Sequence, residues 1–368
     1  MEPYTNQLFQ IDYSEIKDIF QTRLGKKIIA IQYELSKNIV GKPGICGEYA
    51  IPTLTFTFEN DLEETISLFV RRQLDSKESK QSHHYQYLSQ FGIPVPKLYG
   101  TKYDSNGCEI IILEYATEII DELEFFSLGK NIRDFIDLSA RFSCLNPPLE
   151  YLALIGRDMG GKNDTRDWKT WMPWSIYILD KIWDLSSKDR LNQELKELCS
   201  SNKVKIELQT IAKALIRKIN GLKIGIVHSD FRPNNMVILR QNKQLGLIDF
   251  EDIMIDAKYY DIAQYLGAPE PAFPWKPKLK DDYIDFFLER SRYYGGEDLD
   301  HDAFKSELFS IWYTRKINLW EWLPHEFGGP SYDFFPAGKN KNERCNNLFF
   351  LLKTLIEHRD KILQTVST

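Results

Sequence analysis

The spacing of apolar residues changes several times along the chain, and each change predicts an element. Ile16, Ile19, Phe20 and Leu24 recur at helical spacing and Gly25 ends the run, which predicts a helix over 12–24. Three stretches rich in β-branched and aromatic residues follow, at 28–33, 49–58 and 66–70, the last running into Arg71 and Arg72. Between the first two lies a turn-forming cluster, Gly41-Lys-Pro-Gly44-Ile-Cys-Gly47. Asp75 with Glu78 three residues later forms a capping box for a helix to about Gln90, with Gly92 as its stop. One more apolar strand is expected at 109–115, ending beside Ala116. Beyond about residue 117 the period turns helical, at 131–143, at 173–186 and in one or two helices over 191–219. Further helices are expected near 280–293, 303–323 and 343–365, with a Gly/Pro-rich loop at 327–338. Strands concentrated early and helices late make this an α+β chain.

Residues 225–252 interrupt the helical half with a short period-two pattern. A strand at 235–240, a polar turn at 241–244 and a second strand at 245–248 form a ribbon. Asp230 precedes Asn235 by five residues, and Asp249 ends the second strand, so all three polar side chains fall at one edge of the ribbon. Phosphoryl transfer needs that combination. One carboxylate orients or deprotonates an acceptor hydroxyl, and an amide with a second carboxylate holds magnesium against the phosphates. Asp230, Asn235 and Asp249 fit those roles in that order.

The same residues carry a family resemblance. His228-Ser-Asp230-Phe-Arg-Pro-Asn-Asn235, then Leu-Ile-Asp249-Phe-Glu-Asp and Tyr-Asp261-Ile-Ala, resemble the catalytic core of the aminoglycoside phosphotransferase and choline kinase family. Phe91-Gly-Ile-Pro-Val-Pro-Lys-Leu is similar to that family's linker after its helix. The resemblance implies a two-lobed protein-kinase-like fold, with an N-terminal antiparallel sheet lobe (1–115) that binds nucleotide and a mainly helical C-terminal lobe (116–368) for catalysis and acceptor binding. It implies ATP as co-substrate, Mg²⁺ as cofactor, and a hydroxyl-bearing small molecule as acceptor. Backbone groups of Glu114 and Ala116 would meet adenine, and Arg71 would bind the α- and β-phosphates where the family has lysine. The helix glutamate that partners that lysine falls near Gln81, which carries no charge, so either Glu78 takes that part or the ion pair is absent. Arg232 is either a group stabilising charge on the transferring phosphoryl or a surface arginine. His228 and Asp261 are expected to hold the loop, and Glu251 and Asp252 are either carboxylates supporting the metal site or exposed acids.

Composition narrows the partners. A formal charge of -6 argues against nucleic acid and favours a cationic acceptor. The five cysteines are scattered with no Cys-x-x-Cys pair, which fits a reducing cytoplasm and offers no zinc site. No run approaches the length of a membrane span, and no membrane partner is expected. Gly156-Arg-Asp-Met-Gly-Gly161-Lys162-Asn163 comes close to a P-loop but lacks the Ser or Thr after the lysine and the helix that should begin there. Trp275, Trp312, Trp320 and Trp322, among acids such as Asp282, Glu307 and Glu321, form either core or an aromatic wall for the acceptor. Glu251 stands where protein kinases have the glycine of Asp-Phe-Gly, and no activation segment precedes the helix expected at Lys258, which disfavours a protein substrate. The competing reading is a nucleotide-binding regulatory protein without turnover, raised by Arg71 and Gln81.

Overall fold

The computed structural model describes residues 7–8, 11–40, 48–60, 62–73, 81–119, 121–158, 193–219, 221–268, 280–318 and positions scattered over 352–363. The architecture is a two-lobed α+β fold of the protein-kinase type, with an N-terminal antiparallel sheet lobe and a mostly helical C-terminal lobe. By contact density the chain divides into two compact units. One comprises Met1–Leu138, Pro147–Asn163 and Asp230–Ile253, and the other Ser139–Asn146, Asp164–Ser229 and Met254–Thr368.

The first unit is built on a five-stranded antiparallel sheet in the order Ile28–Val40, Glu48–Phe58, Glu63–Arg72, Glu109–Glu114, Leu98–Tyr103. Alternate residues of Glu48–Phe58 are buried, and Leu54, Phe56 and Phe58 join Leu68, Val70, Ile110 and Ile112 on one face. The helix Tyr13–Leu24 covers that face with Ile16 and Phe20; the Phe20 ring lies 4.8 Å from the rings of both Phe56 and Tyr99. Each such fully buried side chain contributes about 2 kcal/mol. All six residues of Glu109–Glu114 are buried, because the strand sits inside the sheet with both faces covered. Since Leu68 and Val70 face the helix, Phe69 and Arg71 lie on the opposite face. A second sheet, Leu245–Leu247, Met236–Ile238 and Thr117–Glu118, completes this unit.

The second unit pairs Ile224–Val227 with Met254–Ala257 and packs helices around them. Tyr260–Leu266 lies so close to His301–Asn318 that a Cβ added at Gly267 would sit 2.4 Å from the Leu308 carbonyl oxygen, so only glycine fits. Stacked rings of Phe287 and Phe304, 5.2 Å apart, join the helices Lys280–Tyr293 and His301–Asn318.

Most expected elements form, with shifted ends. The helix expected over 303–323 is described as His301–Asn318, and 191–219 splits at Ser200 into Gln193–Cys199 and Asn202–Ile219. The strand expected at 235–240 is only Met236–Ile238, because Pro233 fixes its own φ and Pro233–Asn235 closes a single 3₁₀ turn. Leu98–Tyr103, Leu149–Asp158 and the pair Ile224–Val227 with Met254–Ala257 are elements that the periodicity did not separate from their surroundings. The helices expected at 173–186 and most of 343–365 lie outside the described residues, as do the turn cluster at 41–47 and the loop at 327–338. No described helix is long and apolar enough to cross a membrane.

Glu307 in the second unit supplies a stability test. Burial and the neighbouring Glu297 push its carboxyl up to about 7, against the opposing pull of Lys218, Lys258 and Lys223. The folded chain therefore favours the protonated acid. Its contribution is complete below the ordinary value of 4.5 and is lost as pH rises through about 7. Glu307→Gln is expected to remove roughly 3 kcal/mol of the decline in unfolding free energy between pH 5 and pH 8, read by urea denaturation at each pH.

Candidate active site

The three polar residues of the ribbon converge in the first unit. Met236 pairs with Leu247 and Ile238 with Leu245, and the Ile248 N–H donates to the Asn235 carbonyl at 3.0 Å. Asn235 thus stands across from Ile248, one residue short of Asp249. The Asn235 Nδ2 donates to the Asp230 carbonyl oxygen at 2.9 Å and to Asp230 Oδ2 at 2.7 Å. With its nitrogen committed to two acceptors, this buried amide keeps Oδ1 as the atom able to meet a cation. Asp249 has φ 64°, a left-handed conformation that Asp tolerates better than most residues and that turns its carboxylate out of the strand. Oxygen donors from one amide and one carboxylate suit magnesium. Among the described residues no three His, Cys, Asp or Glu side chains cluster as a self-sufficient metal cage.

Arg232 is half exposed, and its Nη2 lies 2.9 Å from Asp230 Oδ2. Sequence reasoning missed Glu122, in the first turn of the helix Glu122–Ser127, which Asp121 caps by accepting from the N–H groups of Leu123 and Glu124. Burial raises the Glu122 carboxyl above its ordinary value, Arg232 pulls it down and Asp230 raises it, so the three charges share one neighbourhood. Only its place in the fold could reveal it, since it is 108 residues from Asp230 in a run of ordinary helix acids.

Arg71 and Arg72 point to opposite faces of the sheet and find different partners. Arg72 bonds to the buried Asp104 at 2.7 Å through Nε and to Glu48 at 3.1 Å, a structural network at the sheet's edge. The largely buried Arg71 has Nη1 3.9 Å from Asp249 Oδ1, and its Nη2 donates to Glu251. Its carboxylate partners here come from the segment after the ribbon. Gln81, at the start of the helix Gln81–Gln90, is buried and accepts from the Phe250 N–H at 3.2 Å. Glu78 lies outside the described residues.

At the end of Glu109–Glu114, the Glu114 N–H donates to the Lys97 carbonyl and the Tyr115 N–H to the Ser67 carbonyl. Glu114 lines a cavity of about 580 Å³ with Arg23, Tyr85, Gln86, Lys97 and Leu239. Ala116 is buried with Val237 and Leu239 in a small apolar cluster against which Ile248 packs.

In the second unit, just before Asp230 in the chain, Asp261 Oδ2 accepts from the His228 N–H at 2.7 Å and Oδ1 from the Ser229 N–H at 2.9 Å. Ser229 has φ 72°, a backbone state those two bonds help to hold. The buried His228 ring packs near Phe142. Asp252 is exposed. Gly156 to Asp158 of the P-loop-like stretch end the helix Leu149–Asp158 rather than precede one, and 159–163 lie outside the described residues. Trp312 is buried against Tyr313, which makes it core; Asp282 is exposed, and Trp275, Trp320, Trp322 and Glu321 lie outside the described residues.

A profile of a phosphotransferase enzyme family matches residues 62–298, well over half of the chain. No curated protein matches. The chain is similar in fold to amicoumacin kinase hAmiN in complex with AMP-PNP, Ca²⁺ and Ami (15% identity, 95% of this chain and 96% of that chain, TM-score 0.51). Also similar are a choline/ethanolamine kinase family protein from Mesorhizobium loti (12% identity, 90% of this chain and 92% of that chain, TM-score 0.48) and an ethanolamine kinase from Plasmodium vivax (14% identity, 95% of this chain and 91% of that chain, TM-score 0.47).

Asp261→Asn is expected to cost about 1–3 kcal/mol in urea unfolding, because the new NH₂ faces a backbone N–H that had an acceptor. An unchanged midpoint and slope would show that the two amides find other acceptors.

Proposed function

This chain belongs to the phosphotransferase enzyme family, and we propose that it moves the γ-phosphoryl group of a nucleoside triphosphate, ATP, to a hydroxyl of a small molecule. The observation that carries the proposal is the Asn235 amide bonded to Asp230 while the ribbon sets Asp249 next to it. In this reading Asp230 orients the acceptor hydroxyl and takes its proton. Asn235 Oδ1 and the Asp249 carboxylate would hold Mg²⁺, which when bound neutralises charge on the phosphates. Arg71 engages the nucleotide phosphates from the sheet. Arg232, already against Asp230, stabilises charge on the transferring group. The purine is placed beside Ala116, next to the partly buried Ile248. Because the N–H groups of Glu114 and Tyr115 are already bonded, Ala116 is the residue to offer its N–H to the base.

Among the described residues, two carboxylates, Asp230 and Glu122, beside Arg232 support an acceptor that carries an amine. The lobe boundary near residue 115 belongs to the same proposal; it is supported by the end of Glu109–Glu114, the last strand in the chain to join the five-stranded sheet. A cytoplasmic setting, where ATP and magnesium are abundant, belongs to the proposal as well; it is supported by Cys108, Cys144 and Cys199, which are free thiols.

Asp230→Ala is expected to lower the turnover number roughly 10²- to 10⁴-fold while the Kd for Mg-ATP moves by less than about threefold. Calorimetric titration beside a coupled assay over amino alcohols, aminoglycosides and sugars measures both. Equal loss of binding and turnover counts against Asp230 as the hydroxyl's partner. Tight Mg-ATP binding by the wild type with no transfer to any acceptor favours the regulatory reading.

A further inference from the structure

A guanidinium held in a largely buried position needs an anion, because desolvating a lone charge costs several kcal/mol. Arg71 projects from an interior strand of the sheet, paired in register with Tyr49 and Ile111, and its side chain is 11% exposed. In the kinase arrangement described above, a carboxylate on the neighbouring helix supplies that anion. Gln81 has no charge to give.

The helix Gln81–Gln90 contributes something else. Its neutral groups hold the main chain of Asp249 and Phe250. Gln81 Oε1 accepts from the Phe250 N–H at 3.2 Å, and the backbone of Asp249 hydrogen-bonds the buried Tyr85 hydroxyl. The fully buried Phe250 ring meets Tyr85 edge-on at 5.1 Å, and His84 lies 6.2 Å away. These contacts hold the backbone at Asp249 and Phe250, immediately before Glu251, which receives the Arg71 Nη2. Asp249, on the other side of Phe250, is 3.9 Å from Nη1. One guanidinium therefore spans two carboxylates of a single short loop. A second acid at position 81 would crowd like charges around it.

We propose that Glu251 is the positioning residue for Arg71, supplying from the metal-bearing loop the counter-charge that the helix lacks. Arg71 and Asp249 then move as one piece, so the group that meets the nucleotide phosphates stays in register with the group that meets the metal. The proposal rests on the reading that Arg71 engages nucleotide, and it adds a residue to that machinery.

The experiment is a double-mutant cycle on Glu251 and Arg71 with two readouts, Mg-ATP affinity by calorimetry and thermal unfolding without nucleotide. Glu251→Gln is expected to weaken Mg-ATP about tenfold, the scale on which losing an orienting partner acts. It should also lower the Tm by about 5 °C, since it takes the hydrogen-bonding carboxylate from a largely buried cation. In an Arg71→Gln background the same change should add little to either loss. Losses from Glu251→Gln that persist in full without Arg71 overturn the proposal, as a metal ligand would behave that way. It is equally overturned if Glu251→Gln changes neither readout, or if Glu78→Gln reproduces the coupling instead. A wild type that binds Mg-ATP and shows the coupling but transfers to no acceptor defeats the transfer reading and leaves this inference standing. A wild type that turns over while Glu251→Gln is inert does the reverse. Should the wild type bind no nucleotide, the thermal arm alone decides the ion pair.

Discussion

The antiparallel register of Met236–Ile238 against Leu245–Leu247 is the constraint on which the site depends. Side chains alternate along a strand, so a slip of one residue would turn every one of them to the other face. With Met236 opposite Leu247, the Asn235 carbonyl meets the Ile248 N–H, and the residues flanking that bond are the amide and the carboxylate suited to a divalent cation. Pairing is reinforced from outside the ribbon. The Leu247 N–H donates to the Pro94 carbonyl, and a Cβ on Gly246 would come within 3.2 Å of the same oxygen. The ribbon is thus pinned to the linker after the helix Gln81–Gln90, which itself holds the backbone of Asp249 and Phe250.

Around this ribbon, charge is arranged by depth. The exposed pairs, such as Lys27 with Glu59 or Lys130 with Asp134, join flexible side chains in water and contribute little. The pairs that matter are half-buried. Arg72 is neutralised by Asp104 and Glu48. Arg71, one residue earlier and on the other face, draws its partners from the loop that carries Asp249. Adjacent arginines therefore end in separate roles through strand parity alone. Backbone strain follows the same geography: of the three described non-glycine residues with positive φ, Ser229 directly precedes Asp230 and Asp249 follows the ribbon, and only Lys243 belongs to an ordinary hairpin turn.

Much of this was legible in the residues themselves. The period-two stretches before residue 115 and the helical ones after it announced an α+β chain, the spacing of Asp230, Asn235 and Asp249 set them on one ribbon, and the family resemblance singled out Arg71. Side-chain chemistry and short-range periodicity are local properties, and local properties survive reading in one dimension. The strands Ile224–Val227 and Met254–Ala257 escaped because four residues carry too little pattern to outweigh their neighbours.

What the tertiary structure decided is which groups meet. Gln81 read as a missing charge; in the fold its amide is a backbone acceptor, and the charge comes from Glu251, 170 residues away in the chain. Glu122 read as one acid among several and stands instead in the electrostatic neighbourhood of Asp230 and Arg232. Glu114, expected at the adenine through its backbone, has its N–H already bonded to the Lys97 carbonyl. Each of these turns on proximity across more than a hundred residues or on a bond between neighbouring strands. Electrostatic and hydrogen-bond energies fall steeply with distance through space, and distance along the chain does not encode them.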